Sequence, residues 1–428
     1  MKKTVMTAFL VLLLTAGFTA TAAATNHKKA YVITDFGAVG DGRTLNTNAI
    51  QTAIDRCAAA GGGVVIIPVG TFLSGAIFLK QGADLFIEKD GVLKGSTDLN
   101  DYPLVNTRWE GVEREWPAAL VNATNLTGVE LSGEGTIDGS GDQWLQLVQP
   151  HQGPVSPEDP SRRRPRLICF QESRRVRIKG LHLLNQAIWC LHVLYSEDVV
   201  VEDLNIRAAH NIPSSDGIDV DSSRHVRIRR CDIDVNDDDI SIKSGKDADG
   251  LRVNRPSEDI VIEKCRFAYG HGGVAMGSET SGGIRNVEVR DSIAEADNWA
   301  VVRFKTQPNR GGIVENIVFR NIQMRDVRQA FEFNMEWRMV PPIAPPAKPL
   351  PVFRNITLIN VTGTAKSAGV IRGLKDSPIQ NIKFKNCNVS AEKGLVIEHA
   401  EKLDISGLKL TVKQGEPVIN RDALGDKQ

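Results

Sequence analysis

The sequence predicts an all-β solenoid of stacked parallel strands, a β-helix, on three observations. A short strand pattern recurs along most of the chain, the spacing between its copies varies without falling below one coil, and an amphipathic helix near the start has the form of an end cap.

The recurring pattern is a run of β-branched and apolar residues at period two, as in "VRIKGLHLLN", "VVVEDLNIRA", "VRIRRCDIDV" and "IVIEKCRFAY". Alignment places Ile178, Val201, Ile228, Ile262, Val289, Phe319, Leu358, Phe384 and Ile405 at one equivalent position, with weaker copies beginning at Leu85 and Val129. The intervals run from 21 residues (Phe384 to Ile405) to 39 (Phe319 to Leu358). A unit of this size cannot bury an apolar face alone, so it must stack on its neighbours, and the extra residues of the longer units swell loops on one side. Cys231, Cys265 and Cys387 fall in the same apolar slot as Leu181, Leu204, Ile322 and Val361, which predicts buried free thiols rather than a disulfide framework.

An open solenoid end exposes apolar core and needs a cap. The stretch "NTNAIQTAIDRCAAAGGG" supplies one: a helix over Asn48–Ala60, with Asn46 or Thr47 as N-cap, Ile50, Ala53, Ile54 and Cys57 on its inner face, and Gly61 to Gly63 as the stop.

Lys2 and Lys3, an apolar run from Val5 to Phe18, and Ala22 to Ala24 read as a signal peptide over residues 1–24. Residues 25–428 are then expected to form one β-helical domain, secreted or periplasmic, and monomeric. Lysine plus arginine and aspartate plus glutamate number 52 each. No net field therefore advertises nucleic acid or a membrane surface, and an acidic ligand would need a local basic cluster.

Stacking turns sequence distance into spatial neighbourhood. Asp216, in "SSDGID", lies about one coil before "NDDDISIKSG", and adjacent parallel strands are roughly 4.8 Å apart, so Asp216 should meet Asp237 and Asp238 side by side. His271, in "GHGG", falls in the next coil. Arg303 and Lys305, at i and i+2 in "RFK", point to one face of a later strand. Clustered carboxylates beside a histidine and two cations have no structural purpose in a solenoid, because like charges this close cost energy unless protons or cations relieve them. They suit glycoside hydrolysis, which needs a carboxylic acid to protonate the leaving oxygen and a carboxylate to handle water or attack. Lys243 is a further candidate substrate contact and Trp299 a candidate sugar platform. Asp239 is expected to face solvent or pair with Lys243, and His182, His192, His210 and His225 to be structural.

At these residues the chain resembles the polygalacturonases, glycoside hydrolase family 28, over nearly its whole length, from "ITDFGAVGDG" through "NDDDISIKSG" and "GHGG" to "RFK". The resemblance implies a right-handed parallel β-helix acting without metal or cofactor on galacturonic-acid-containing pectic chains. It implies Asp237 as general acid, Asp216 and Asp238 holding the attacking water, His271 tuning the acid, Arg303 and Lys305 binding galacturonate, and inversion at the anomeric carbon. Ser214 and Ser215 stand where the family has Asn and Thr, Phe304 separates the basic pair where it has Ile, and Trp337 is the candidate for a missing tyrosine. The long loop "SGKDADGLRVNRPSED" suggests a cleft blocked at one end and attack from a chain end. Rhamnogalacturonan or pectin side chains are an alternative substrate. A calcium-dependent pectate lyase and a non-catalytic carbohydrate-binding β-helix are the rival functions.

Overall fold

The computed structural model describes residue 1 and residues 29–147, 163–295, 297–338 and 346–422; the expected signal peptide lies outside these but for Met1. The chain winds as a parallel β-helix. Each central coil gives three short strands that pair in parallel with those of the next coil, as Ile168–Gln171, Arg174–Lys179 and His182–Leu184 do with Leu191–Leu194, Glu197–Glu202 and Asn205–Arg207.

One ladder of inward residues runs through the molecule: Tyr31, Val65, Leu85, Leu131, Ile178, Val201, Ile228, Ile262, Val289, Phe319, Leu358 and Phe384 are successive Cα partners. All are buried. The repeat alignment from Leu85 to Phe384 is therefore the register of the sheet, while Ile405 falls one residue past the last bridge, Lys383 to Asp404. All six cysteines are buried and none is in a disulfide.

The cap helix spans Thr47–Ala59, one residue earlier than expected, and buries Ile50, Ala53, Ile54 and Cys57 against the first coil. Asn46 stands at the N-cap without a capping side-chain bond. Its amide instead ties the entering chain together, accepting from Val39 N and donating to the carbonyls of Val39 and Thr44.

Two insertions shape the functional face. The 46-residue interval between Leu85 and Leu131 (131 − 85) holds a hairpin, Leu104–Trp109 with Val112–Pro117, the antiparallel strand pair among the described residues. It lies on the outer face of the sheet. Trp109 packs against Trp116 and Trp189, with ring centroids 4.8 and 4.5 Å away. The fully buried Arg108 donates to Asp221 Oδ1 at 2.7 Å and to Ser222 Oγ at 2.7 Å. The second insertion carries a short helix, Asp247–Val253, and meets the hairpin through Arg252 and Glu113 at 2.5 Å. Among the described residues no helix is long and apolar enough to cross a membrane.

Candidate active site

Four consecutive coils supply the site. Alternation along the strands Ile218–Asp221, Asp238–Lys243, Gly272–Met276 and Ala300–Lys305 sends every second residue inward, with Val220, Ile242, Met276 and Phe304 in the core. The residues between them face outward into one row: Asp219 is the register partner of Ser241, Ser241 of Ala275, Ala275 of Arg303, and Arg303 of Glu332. Phe304 is thus a core residue. It stacks on Phe333 with centroids 4.6 Å apart, and its departure from the family pattern leaves the outward face unchanged.

The three expected aspartates converge, with carboxylate oxygens of Asp216, Asp237 and Asp238 all within 4.8 Å of one another. Both oxygens of the fully buried Asp238 are held by cations, Oδ1 by Arg303 Nη1 at 3.0 Å and Oδ2 by Lys305 Nζ at 2.6 Å. Burial opposes ionisation there, but Lys305 and Arg303 outweigh it and hold the carboxyl well below the usual range. Gly272 makes this reach possible, since a Cβ there would sit 2.9 Å from Arg303 Cδ and 3.0 Å from Asp238 Oδ1.

Asp216 is almost enclosed, with Lys243 Nζ 3.6 Å from its Oδ2. Burial first, then the charge of Asp237, pushes its carboxyl up to about 8 against the pull of Lys243. Asp237 is the most open of the three, its side chain 27 % exposed, and its Oδ1 lies 3.3 Å from His271 Nδ1. Burial works to raise the Asp237 carboxyl, but the His271 hydrogen bond prevails and holds it below its ordinary value. The same bond raises the imidazole. Three carboxylates this close cannot all ionise freely. Burial and the neighbouring carboxylates thus favour the protonated form of Asp216, as they do of Asp219 beside it, while Asp237 pairs with His271.

Asp216, Asp237 and His271 line a cavity of about 160 Å³ together with Lys243, Lys246, Glu110, Trp189, Ser214, Ser278, Glu279, Arg303, Lys305, Arg310 and Trp337. Lys243 is placed deep in it, 3.5 Å from both Asp219 and Glu279, with its ammonium over the Trp189 ring. Trp337 takes the expected aromatic place, 5.1 Å beneath Lys305 Nζ. Trp299 does not line this cavity; its Nε1 donates to Glu332 Oε2 at 3.1 Å, and Arg303 Nε donates to the same oxygen at 2.8 Å. The expectation for Asp239 is corrected. It is fully buried on the far side of its strand and accepts from Asn298 Nδ2 at 2.6 Å, away from both solvent and Lys243. Ser215 is structural, accepting from Asn236 N at 3.1 Å, whereas Ser214 faces the cavity.

Sequence reading missed Glu332, Glu110, Lys246 and Glu279. Glu332 was within reach, because "EFN" is the register partner of "RFK" one coil earlier. The other three lie in insertions, where no repeat fixes position.

Comparison with known proteins agrees with this geometry. The family model described as "Glycosyl hydrolases family 28" matches residues 57–406. A probable polygalacturonase of Vitis vinifera is 32 % identical over 83 % of this chain and 73 % of its own length. An exo-poly-alpha-D-galacturonosidase of Dickeya chrysanthemi is 29 % identical over 72 % of this chain and 57 % of its own. Among solved structures, a hyperthermoactive exopolygalacturonase from Thermotoga maritima superposes with a TM-score of 0.80 at 30 % identity, covering 92 % of each chain. With these matches and this arrangement of carboxylates, the chain belongs to glycosyl hydrolase family 28, as a right-handed parallel β-helix that hydrolyses glycosidic bonds.

Proposed function

We propose that this chain is an exo-acting polygalacturonase that releases galacturonate from the end of a pectic chain. The observation that carries the reading is the convergence of three aspartates with Arg303 and Lys305 at a cavity walled on one side by Glu110 of the hairpin tip and by Lys246. A guanidinium and an ammonium facing outward match a uronate carboxylate.

In this reading Asp237 is the general acid, because it is the aspartate open to a leaving oxygen. A sugar covering the cleft removes water from Asp237 and favours its neutral form, which draws the proton from Asp216 or His271. Asp216 and Asp238 then hold the attacking water. Oxygen spacings this short approach those of a retaining pair. Inversion is favoured by the state of Asp238, both of whose oxygens are engaged by cations. A proton spectrum of the first-formed product settles the stereochemistry: β-galacturonate from an α-linked chain supports inversion, and the α-anomer refutes it.

The cations on Asp238 also argue against a calcium-dependent lyase, since Lys305 and Arg303 occupy the positions from which a divalent ion would approach that carboxylate. The rhamnogalacturonan reading keeps one observation in its favour, Ser214 at the cavity wall. The deciding experiment is the product profile on polygalacturonate and on rhamnogalacturonan, each with and without chelator. Monomer from polygalacturonate, insensitive to chelator, is expected. An oligomer ladder overturns end attack, an unsaturated product overturns hydrolysis, and products from rhamnogalacturonan alone move the substrate. The enzyme is further proposed to act as a monomer of residues 25–428 after export and loss of residues 1–24, which N-terminal sequencing and light scattering of the exported protein would check.

A further inference from the structure

The wall of the cavity contains two charged side chains that the reaction described above does not use. Glu110 sits at the tip of the hairpin, where it and Gly111 adopt positive φ of 44° and 77°. The tip is pressed against the second insertion: Lys246 N donates to Gly111 O at 2.9 Å, and a Cβ on Gly111 would lie 2.5 Å from Lys246 Cβ and 2.8 Å from Glu279 Cγ. Backbone contact and the Arg252 to Glu113 bridge therefore already hold the wall together. Lys246 is only 7 % exposed, yet among the described residues its ammonium has no hydrogen bond or ion pair, and neither does the Glu110 carboxylate. Both side chains line the same cavity as Asp216, Asp237, Arg303 and Lys305. Lys246 and Glu110 attract each other through space without a hydrogen bond, so an ammonium with unused donors and a carboxylate with unused lone pairs both face the cavity, ready for a ligand.

The ligand group follows from which side is closed. Asp237 and His271, the donor side, are 27 % and 41 % exposed, so the leaving portion of the chain extends toward solvent there. The sugar that keeps the anomeric carbon must then lie toward Lys243, Lys246 and the hairpin tip, where the packing of Gly111 on Lys246 and Glu279 closes the wall. On galacturonate the 4-hydroxyl and the carboxylate at C5 sit on adjacent ring carbons. An acceptor next to an ammonium matches that pair, and a free 4-hydroxyl exists only at the non-reducing end.

We propose that Glu110 and Lys246 read the non-reducing end of the substrate, Glu110 accepting a hydrogen bond from the terminal 4-hydroxyl and Lys246 pairing with the terminal carboxylate. The assignment rests on the chain-end hydrolase reading and adds the residues that enforce it.

The test uses two trigalacturonates, one saturated and one with a 4,5-unsaturated non-reducing ring, which keeps the carboxylate but lacks the 4-hydroxyl. The wild-type enzyme should prefer the saturated trimer. Glu110→Ala should lose about 10- to 100-fold in kcat/KM on it, the range expected for a hydrogen bond to a charged group, and bring the ratio of the two substrates toward one. Lys246→Met should lower both rates together and leave the ratio in place. Glu110→Gln, which conserves shape, covers the case in which the alanine variant fails to fold and should lie between wild type and Glu110→Ala. A preference unchanged in a folded Glu110 variant, or absent in the wild type, overturns the inference while monomer release continues. Cleavage of longer chains into an oligomer ladder by the wild type overturns the chain-end reading itself.

Discussion

Lowering the pH from 7.5 to 4.5 should remove stability from the β-helix at His192, and His192→Asn should abolish that part of the loss. His192 is fully buried beneath the hairpin, next to the row of outward residues that forms the active site. Arg166 Nη1 lies 2.5 Å from its Nδ1. A guanidinium can only donate, so Nδ1 accepts, and Nε2 carries the hydrogen that faces Asp221 Oδ2 at 3.6 Å. Burial, aided by the charges of Arg166 and Arg108, overcomes the attraction of Asp221 and lowers the imidazole to about 4. A folded value below the unfolded one means the contribution is complete above about pH 6.5 and is lost as pH falls toward 4. Stopping at pH 4.5 realises about 2 units of the shift, which at 1.36 kcal/mol each give roughly 3 kcal/mol. Spread over the entropy of unfolding of a chain this long, that is about 4 °C in Tm. Thermal and urea unfolding of wild type and His192→Asn at four pH values would isolate the effect, since all other titrations are common to both proteins. Asparagine can still accept from Arg166, so the variant remains packed. Equal slopes of stability against pH in the two proteins, from 6.5 to 4.5, would refute the assignment of a buried neutral imidazole.

Other perturbations address the site. Asp237→Asn should lower kcat by about 10²- to 10⁴-fold, the usual share of a general acid, while substrate binding measured by calorimetry changes by only a few-fold. Retained turnover would remove Asp237 from the acid role. Gly272→Ala places a methyl group between Arg303 and Asp238, and should raise KM by about 10-fold with little change in Tm; unaltered kinetics would show that the pair has room to part. Phe304→Ile should leave kcat and KM within about two-fold and cost about 1–2 kcal/mol of stability through the lost stack on Phe333. A large kinetic effect there would contradict its placement in the core.

The fold was legible because a β-helix writes its register into the sequence. Each coil must return an apolar residue to the same inward position, so the repeat positions from Ile178 to Phe384 are the sheet's Cα partners. The same register brought Asp216 to Asp237 and Asp238, and set Arg303 and Lys305 on one outward face. Asp239 was misplaced because alternation breaks at the start of its strand, where the phase of Ser241 and Lys243 would send it outward. Ile240 and Ile242 point inward, but Asp238 at the strand's start turns outward to meet Arg303 and Lys305, and Asp239 is left against Asn298. The hairpin was invisible for the opposite reason: it belongs to no repeat. Its anchor is Arg108 to Asp221, a pair 113 residues apart that no local pattern connects.

Stacking explains both the cost and the use of the trio. Coils one strand apart force carboxylates together, and the coils that follow supply the cations that make this tolerable, Arg303 and Lys305 on Asp238 and Lys243 near Asp216. The cations are not shared evenly. Asp238 takes two at hydrogen-bond distance and stays ionised, whereas Asp216 is left with one at 3.6 Å and, under burial and the charge of Asp237, keeps its proton up to about pH 8. With Asp219, whose buried carboxyl is also pushed up beside Asp216, the cluster favours keeping a proton at neutral pH, the condition an acid catalyst flanked by carboxylates must meet. Because the raised value belongs to the protonated set, activity should be present below it and fall as pH rises through about 8. A profile of kcat/KM against pH reports this directly. A decline that begins near pH 5, where an ordinary carboxyl loses its proton, would mean that the trio does not retain one, and that the acid draws its proton from His271 alone.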